Sequence, residues 1–386
     1  MSRPLHILMH CVYFPPEVGG LESHVYYLCR AMAAMGHRVD IVTSRSRPNL
    51  PKHEVMDGVN VFRTWFPSRN PIGWGLHAAG SVPELGRLAR TADILHAQAF
   101  ASVLPGMAAR RVRKAPLLAT WHTSHFLKRA DSPFWRPIFQ RMLREVDHNL
   151  AASREIASVG ERIAPGVKVE ALTNGVETDI FRPVVPTLDP PAEGRRRLIV
   201  PRRLFHKNGV EYAVRALPLI AEHIDVEAVF VGDGPEREKL ERLGAELGVS
   251  DRMVFLGARP NAEMPGLLAS AELAVFPSLM EATSVAALEC MSCEIPVAAS
   301  RVGGLPEIVD DSVGGLCNPG DPPDIARTVV ALLNDPQLKD RGRAGRERVV
   351  GHWSNHRLAL RHLEIYNELI ARRMPAPSIT GTQSHG

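Results

Sequence analysis

The stretch Pro277-Ser278-Leu279-Met280-Glu281 is separated by seven residues from Glu289 and is followed by Ile295-Pro296-Val297 and Gly303-Gly304. Its order is strand, acidic turn, helix, strand, glycine turn. Leu273 to Phe276 is an apolar run short enough for a buried strand, and Val285 to Met291 continues as good helix formers behind the N-cap candidates Thr283 and Ser284. Glu281 then falls at the C-terminal edge of a strand. With Ser284 as cap, the free backbone N–H groups of Val285, Ala286 and Ala287 point at the same spot, where the helix dipole favours an anion such as phosphate. Glu289 lies further along the helix, and at about 100° per residue it does not stack beside Glu281. The two carboxylates read as separate hydrogen-bond acceptors around one extended ligand, suited to a ribose diol and a sugar hydroxyl.

The same alternation recurs along the chain. His6 to Met9, Arg38 to Thr43, Val59 to Arg63, Ile94 to Ala97, Leu117 to Thr120, His148 to Ala151 and Lys168 to Leu172 are strand candidates. They alternate with helical stretches such as Gly20 to Met35, Arg136 to Val146 and Arg154 to Ile163. Such alternation implies a largely parallel, doubly wound sheet. Residues 183–197, crowded with proline and ending in Arg195-Arg196-Arg197, read as a linker. A second series follows: Leu198 to Val200, Val226 to Val231, Met253 to Leu256, Leu273 to Phe276, Ile295 to Ala298 and Gly315 to Cys317. Helices over Pro322 to Leu333, Gln337 to Gly351 and Asn355 to Arg372 close the chain. Leu358, His362, Ile365 and Leu369 fall on one side of the last helix. The tail 374–386 has the composition of a flexible segment.

Length and composition agree with this. At 386 residues the chain has room for two domains, each with its own core. Its 46 basic and 42 acidic side chains nearly balance, so nucleic acid is not called for. Five cysteines, an odd number, point to free thiols and a cytoplasmic setting. Cys290 and Cys293 have C-x-x-C spacing, but no second pair or nearby histidines complete a zinc site, so buried thiols are expected. No stretch has the roughly 18 uncharged apolar residues of a membrane span.

The segment PSLMEATSVAALECMSCEIPVAAS, with its Glu, seven residues, Glu pattern, resembles the donor-site signature of glycosyltransferase family 4. The resemblance extends over nearly the whole chain to about residue 370. It takes in PPEVGGLESHVYYL, Gly36-His37, Thr120-Trp121-His122, Asn174-Gly175-Val176, Arg202-Arg203-Leu204-Phe205-His206-Lys207-Asn208-Gly209, Gly232-Asp233-Gly234 and Gly303-Gly304-Leu305-Pro306-Glu307.

It implies the GT-B fold, an α/β architecture of two Rossmann-like doubly wound domains facing a central cleft, with the C-terminal helix crossing back to the first domain. The expected divisions are an acceptor-binding domain over 1–182, joined by the terminal helix 355–372, and a donor-binding domain over 198–354. The implied activity is retaining transfer of a hexosyl-type sugar from a nucleotide-diphosphate sugar to an acceptor hydroxyl in glycan or glycolipid biosynthesis. Arg203 and Lys207 would grip the donor diphosphate and stabilise the charge of the leaving nucleotide. Gly19 and Gly20 would let the backbone approach that phosphate from the opposite domain. His122 would hydrogen-bond the donor sugar, with His125 as the competing candidate. Glu281, Glu289, Ser284, Val285, Ala286 and Gly232 complete the expected donor site.

Asn174-Gly175-Val176 is expected to be structural, with Glu177 where the family has Asp. Asp310-Asp311 lacks a spaced Asp-X-Asp pattern, so neither metal nor other cofactor is expected. Two departures stand out: Ala282 and Ser284 occupy places where Pro and Gly are frequent, and Glu294 occupies a helix end usually given to Gly. Two readings from other classes remain alongside, a nucleotide-sugar-binding protein without transfer and a nucleotide-sugar epimerase. For the acceptor side, Arg110, Arg111, Arg113 and Lys114, with Phe126, Leu127, Phe134 and Trp135, form a candidate surface for peripheral contact with anionic lipid at the inner membrane face, against the plainer reading of a solvated helix face.

Overall fold

The computed structural model describes residues 3–17, 19–122, 124–281 and 284–373. The expectations for the tail after Met374, for Thr283 as a cap and for Ala282 therefore lie outside the described residues. The first half carries β1 (His6–His10), β2 (Arg38–Ser44), β3 (His53–Met56), β4 (Val59–Thr64), β5 (Ile94–Gln98), β6 (Leu117–Trp121), β7 (His148–Ala151) and β8 (Val169–Ala171). Its helices are α1 (Gly20–Ala34), α2 (Pro71–Ala89), α3 (Phe100–Ala109), α4 (Ser124–Ala130), α5 (Trp135–Glu145) and α6 (Arg154–Ile163). The second half carries β9 (Arg196–Val200), β10 (Val226–Val231), β11 (Met253–Gly257), β12 (Leu273–Phe276), β13 (Val297–Ser300) and β14 (Gly314–Cys317). Its helices are α7 (Val210–Ala221), α8 (Arg237–Glu246), α9 (Met264–Ala269), α10 (Val285–Ser292), α11 (Leu305–Ile308), α12 (Pro322–Leu333), α13 (Leu338–His352) and α14 (Asn355–Ala371).

The strands form two sheets, in the orders β3-β4-β2-β1-β5-β6-β7-β8 and β11-β10-β9-β12-β13-β14. Every pairing is parallel except β3 with β4. Central strands such as His6–His10, Ile94–Gln98 and Leu273–Phe276 are buried along their whole length. That is why they read as continuous apolar runs: a parallel sheet is covered on both faces. The first sheet has Leu95, Leu117 and Phe139 packed on one side and Ile7, Val25 and Ile41 on the other. The second is covered likewise by Val214, Phe230 and Ile325 on one face and Phe276, Leu288 and Val297 on the other.

The last helix does cross back. Ala359, Ile365, Tyr366 and Leu369 of α14 join the cluster of Ile7, Leu28 and Val39 in the first half, and Tyr366 Oη lies 2.7 Å from His96 Nδ1. Arg361 of α14 also pairs with Glu170 at 2.9 Å. Glu177 has a structural partner in Arg30 of α1.

Two expectations need correction, and one strand carries little sequence signal. The linker ends earlier than 197, because Arg196 and Arg197 are the first residues of β9; Arg197 is buried and reaches Glu227 at 2.5 Å. An arginine that finds a carboxylate on the neighbouring strand can open a buried strand. Phe126 belongs to no surface: it is buried against Trp121 and Phe139. Finally, β3 is a short antiparallel edge strand whose alternation of exposed and half-buried residues carries little apolar signal.

Candidate active site

The loops that follow the carboxyl ends of both sheets enclose a cavity of about 360 Å3. From the first half come Gly19 and Gly20 after β1, His122 after β6, Ala152 after β7 and Asn174 after β8. From the second come Arg202, Arg203 and Lys207 after β9, then Met280, Glu281, Ser284, Val285 and Ala286 between β12 and α10. Open parallel sheets place ligand sites at these edges because loop tips and helix starts converge there.

The anion-binding half is built from backbone first. Ser284 caps α10, its side chain accepting from Ala287 N–H at 3.3 Å. Lys207 sits in a short 3-10 turn whose carbonyl accepts the N–H groups of Leu279 and Met280 at 2.9 and 3.1 Å. The lysine loop and the stretch before Glu281 are therefore tied together through backbone. Two glycines, one in the lysine loop and one in the loop after β13, let backbone close on either side of this stretch. Gly209 has φ 62°, and a β carbon there would lie 2.0 Å from the Pro277 carbonyl oxygen. Gly303 has φ 53°, and its β carbon would lie 1.5 Å from the carbonyl oxygen of Glu281.

The two adjacent arginines divide the work. Arg202 turns inward: its guanidinium pairs with the Glu281 carboxylate and donates to Ser278 Oγ at 3.0 Å and Asn208 Oδ1 at 2.9 Å. It also lies over the Phe276 ring at 5.5 Å. Arg203 is exposed, lies over Phe205 at 5.7 Å and reaches into the cavity. Partial loss of hydration, reinforced by the guanidiniums of Arg203 and Arg202, holds the Lys207 ammonium below the usual lysine range, with Glu281 opposing. This crowding of positive charge is what a bound anion relieves.

His122 is buried, its Nε2 held 2.9 Å from Gln98 Oε1. Burial drives its pKa down to about 3, so the ring is neutral at physiological pH and offers a hydrogen bond rather than a charge. Gln98 in turn lies beside His96, whose Nε2 is 2.7 Å from Thr120 Oγ1. His125, the competitor, does not line the cavity; it stands on α4 against Arg129 at 3.1 Å.

Two expected donor residues lie off the cavity wall. Gly232, at φ 151°, acts on the neighbouring loop. A β carbon there would meet the Arg202 carbonyl oxygen at 2.2 Å, so its absence lets the end of β10 press against the loop that aims Arg203. Glu289 stands one turn along α10 from Val285, and burial pushes its carboxyl up to about 8. A larger hollow of about 1060 Å3 opens beside Tyr27, the linker and Asn261, and brings none of the expected site residues together.

Asn174 was expected to be structural, yet it lines the cavity with a buried Oδ1 that has no partner among the described residues. Arg202 is the residue that sequence reasoning passed over; the signal was the presence of two successive arginines facing a carboxylate-bearing turn. Glu294 does adopt the left-handed conformation, φ 63°, normally left to glycine. Cys290 and Cys293 are buried free thiols with pKa values pushed up, the latter to about 12.

Two doubly wound parallel sheets whose strand ends face each other across such a cleft make the molecule a GT-B protein. Residues 18–180 match the family model described as Glycosyltransferase Family 4, and residues 189–348 match that of Glycosyl transferases group 1. An uncharacterized glycosyltransferase of Methanocaldococcus jannaschii is 30% identical, over 83% of this chain and 87% of its own. The chain belongs to the family 4 glycosyltransferases and is a transferase of that kind. Among solved structures, the sucrose-phosphate synthase of Thermosynechococcus elongatus superposes with a TM-score of 0.83 at 24% identity, covering 95% of this chain and 100% of that one. Anabaena Alr3699/HepE, crystallised with UDP and glucose, gives 0.72 at 17% identity, covering 94% and 99%.

Proposed function

We propose that the protein transfers a hexosyl-type sugar from a nucleoside-diphosphate sugar to an acceptor hydroxyl with retention of anomeric configuration, and without a metal. The observation that carries this reading is the meeting of Arg203, Lys207, the amino end of α10 and Glu281 around one cavity, opposite Gly19, Gly20 and His122. The donor diphosphate lies against the two cations and the N–H groups of Val285 and Ala286. The crystallisation of Anabaena Alr3699/HepE with UDP and glucose supports a nucleotide of this type. As the glycosidic bond to the phosphate breaks, negative charge grows on the leaving oxygen; Arg203 and Lys207 stabilise it in place. The acceptor hydroxyl attacks the face from which the nucleotide departs and passes its proton to a phosphate oxygen. The chain supplies no covalent nucleophile in this scheme. Neutral His122 and the buried Asn174 amide orient sugar hydroxyls, and Glu281 accepts a hydrogen bond from the sugar. Glu289, off the wall of this cavity but close to Tyr27 of the neighbouring hollow, is assigned to the nucleotide's far end.

Five buried free thiols fit a cytoplasmic setting. No described helix is long and apolar enough to cross a membrane. The test is incubation with UDP-, GDP- and ADP-sugars and an acceptor panel, with and without EDTA, followed by NMR of the product. Transfer with the donor's anomeric configuration preserved, at a rate insensitive to EDTA, is expected. Inverted product, epimerised donor, or nucleotide binding without turnover sinks the proposal.

A further inference from the structure

Beside the cleft, on the outer side of the first sheet, helices α2, α3 and α5 leave an apolar groove between them. Its walls are Trp74, Phe100, Leu104, Trp135, Ile138 and Met142, and the enclosed part measures about 160 Å3. Leu104, Ile138 and Met142 also line an open continuation of about 440 Å3, so the groove runs on along α3 toward Arg111 and Arg141. The walls are held in shape. Trp74 Nε1 donates to Tyr13 Oη at 2.9 Å, and Trp135 stacks on Phe139 at 5.7 Å. Leu104, in the groove wall, is 52% exposed, and Leu76 of α2 and Phe134 just before α5 are exposed as well.

The charge around it has one sign. Arg129 lines the inner end over the Trp135 ring at 5.9 Å, and Arg111 and Arg141 line the outer end. None of the three has a carboxylate partner among the described residues. Arg110, by contrast, is engaged by the Glu145 carbonyl at 2.6 Å and by Asp147 at 3.6 Å, so it is not one of these free cations. The inner end adjoins the cleft. α4 starts two residues after His122, its His125 packs against the groove residue Trp74 at 5.9 Å, and its Arg129 lines the groove.

We propose that this groove takes the hydrocarbon chain of an anionic amphiphile that serves as the acceptor, its headgroup charge held by Arg129 and Lys128 and its hydroxyl extending into the cleft. The acceptor role rests on the glycosyl-transfer reading of the cleft; the binding of the chain does not. A hydrocarbon matches the apolar walls, and a single anionic headgroup at the inner end matches Arg129, which has no carboxylate partner among the described residues.

The test is calorimetric titration of the full-length protein with butyl, octyl and dodecyl phosphate below their micellar concentrations, with dodecyl maltoside and UDP as comparisons. Affinity is expected to rise with chain length by up to roughly fourfold per buried methylene. Leu104→Asp, at an exposed position, is expected to weaken dodecyl phosphate at least tenfold while UDP affinity stays within twofold, which also shows that the variant is folded. Arg129→Ala is expected to weaken dodecyl phosphate but not dodecyl maltoside. Equal binding of the three phosphates, equal binding by wild type and Leu104→Asp, or tighter binding of the maltoside would overturn the proposal. If the alkyl phosphates bind as expected but UDP does not, the groove remains a lipid site and the acceptor role falls together with the reading of the cleft.

Discussion

Gly303→Ala tests how closely the site depends on backbone contact. Gly303 has φ 53°, and a methyl group there would sit 1.5 Å from the carbonyl oxygen and 2.6 Å from the carbonyl carbon of Glu281. Both are main-chain atoms, so no side chain can swing aside. Restoring ordinary van der Waals separation needs about 1.5 Å of movement in the Glu281 turn or in the Gly303 loop. The left-handed conformation costs alanine about 1–2 kcal/mol, and the overpacking adds about 1–3 kcal/mol. Gly166→Ala is the matched control: φ is 86° there, yet nothing lies within 4 Å of the added carbon. It incurs the conformational cost alone. The two variants should therefore differ in thermal midpoint by the clash term, about 2–4 °C per kcal/mol for a domain of this size. The functional difference should be larger. A misplacement of 1 Å at a reacting centre costs on the order of 100-fold, and Glu281 carries its carboxylate on the displaced turn. With the donor identified by the nucleotide-sugar panel, turnover of Gly303→Ala is expected to fall at least 100-fold, while Gly166→Ala stays near wild type. Turnover of the two variants agreeing within threefold would refute the view that this contact sets the position of Glu281.

Three further outcomes follow from the same geometry. Arg203→Ala and Lys207→Ala should each lower kcat/KM by about 100- to 1,000-fold, roughly 3–4 kcal/mol of transition-state stabilisation, with unchanged thermal midpoints, because neither side chain holds the fold together. Glu294→Gly should raise the thermal midpoint by a few degrees, about 1 kcal/mol, since φ is 63° at that helix end, and should leave turnover untouched; a loss of turnover would mark the position as functional. Burial raises the Glu289 carboxyl from 4.5 to about 8, so the native state holds its proton more tightly than the unfolded chain does. That contribution to stability is full below pH 4.5 and is lost as pH rises through 8. Urea unfolding at pH 5, 7 and 9 should show wild type weakening relative to Glu289→Gln across this window, and parallel curves would remove the assignment.

Much of the architecture was legible because parallel strands buried on both faces announce themselves as apolar runs between helices; Val226–Val231, Leu273–Phe276 and Arg154–Ile163 fall where the sequence puts them. What escaped has physical reasons. The half-exposed edge strand β3 gains nothing from apolar residues. Arg196 and Arg197 look like linker because their partners Glu272 and Glu227 are 76 and 30 residues away. The second strand of the opening motif starts at Val297 rather than Ile295, because Ile295 is still bonded to the Cys290 carbonyl at the end of α10. Gly232 carries the glycine signal of a ligand turn but serves a neighbouring loop, a distinction that only the position of the Arg202 carbonyl reveals.

The Arg202-Arg203 pair shows why spacing found the site and could not apportion it. A loop leaving a strand alternates direction, so of two adjacent cations one must face the body of the domain and the other the cleft. The inward one must find a carboxylate or destabilise the fold, since an uncompensated buried charge is costly; Arg202 finds Glu281, and adds Ser278 and Asn208. The outward one is then left for a ligand, and its exposure is what allows an anion to reach it. Glu281 thus fixes the arginine that braces the turn while lining the cleft, and on the proposed reading it also offers an acceptor to the donor. A substitution at Glu281 removes the partner of a largely buried guanidinium and, on the proposed reading, a donor contact as well. Arg203→Ala should leave the turn standing, whereas Glu281→Ala should loosen the Lys207 loop through Asn208 and Ser278, and the two losses of activity should not add.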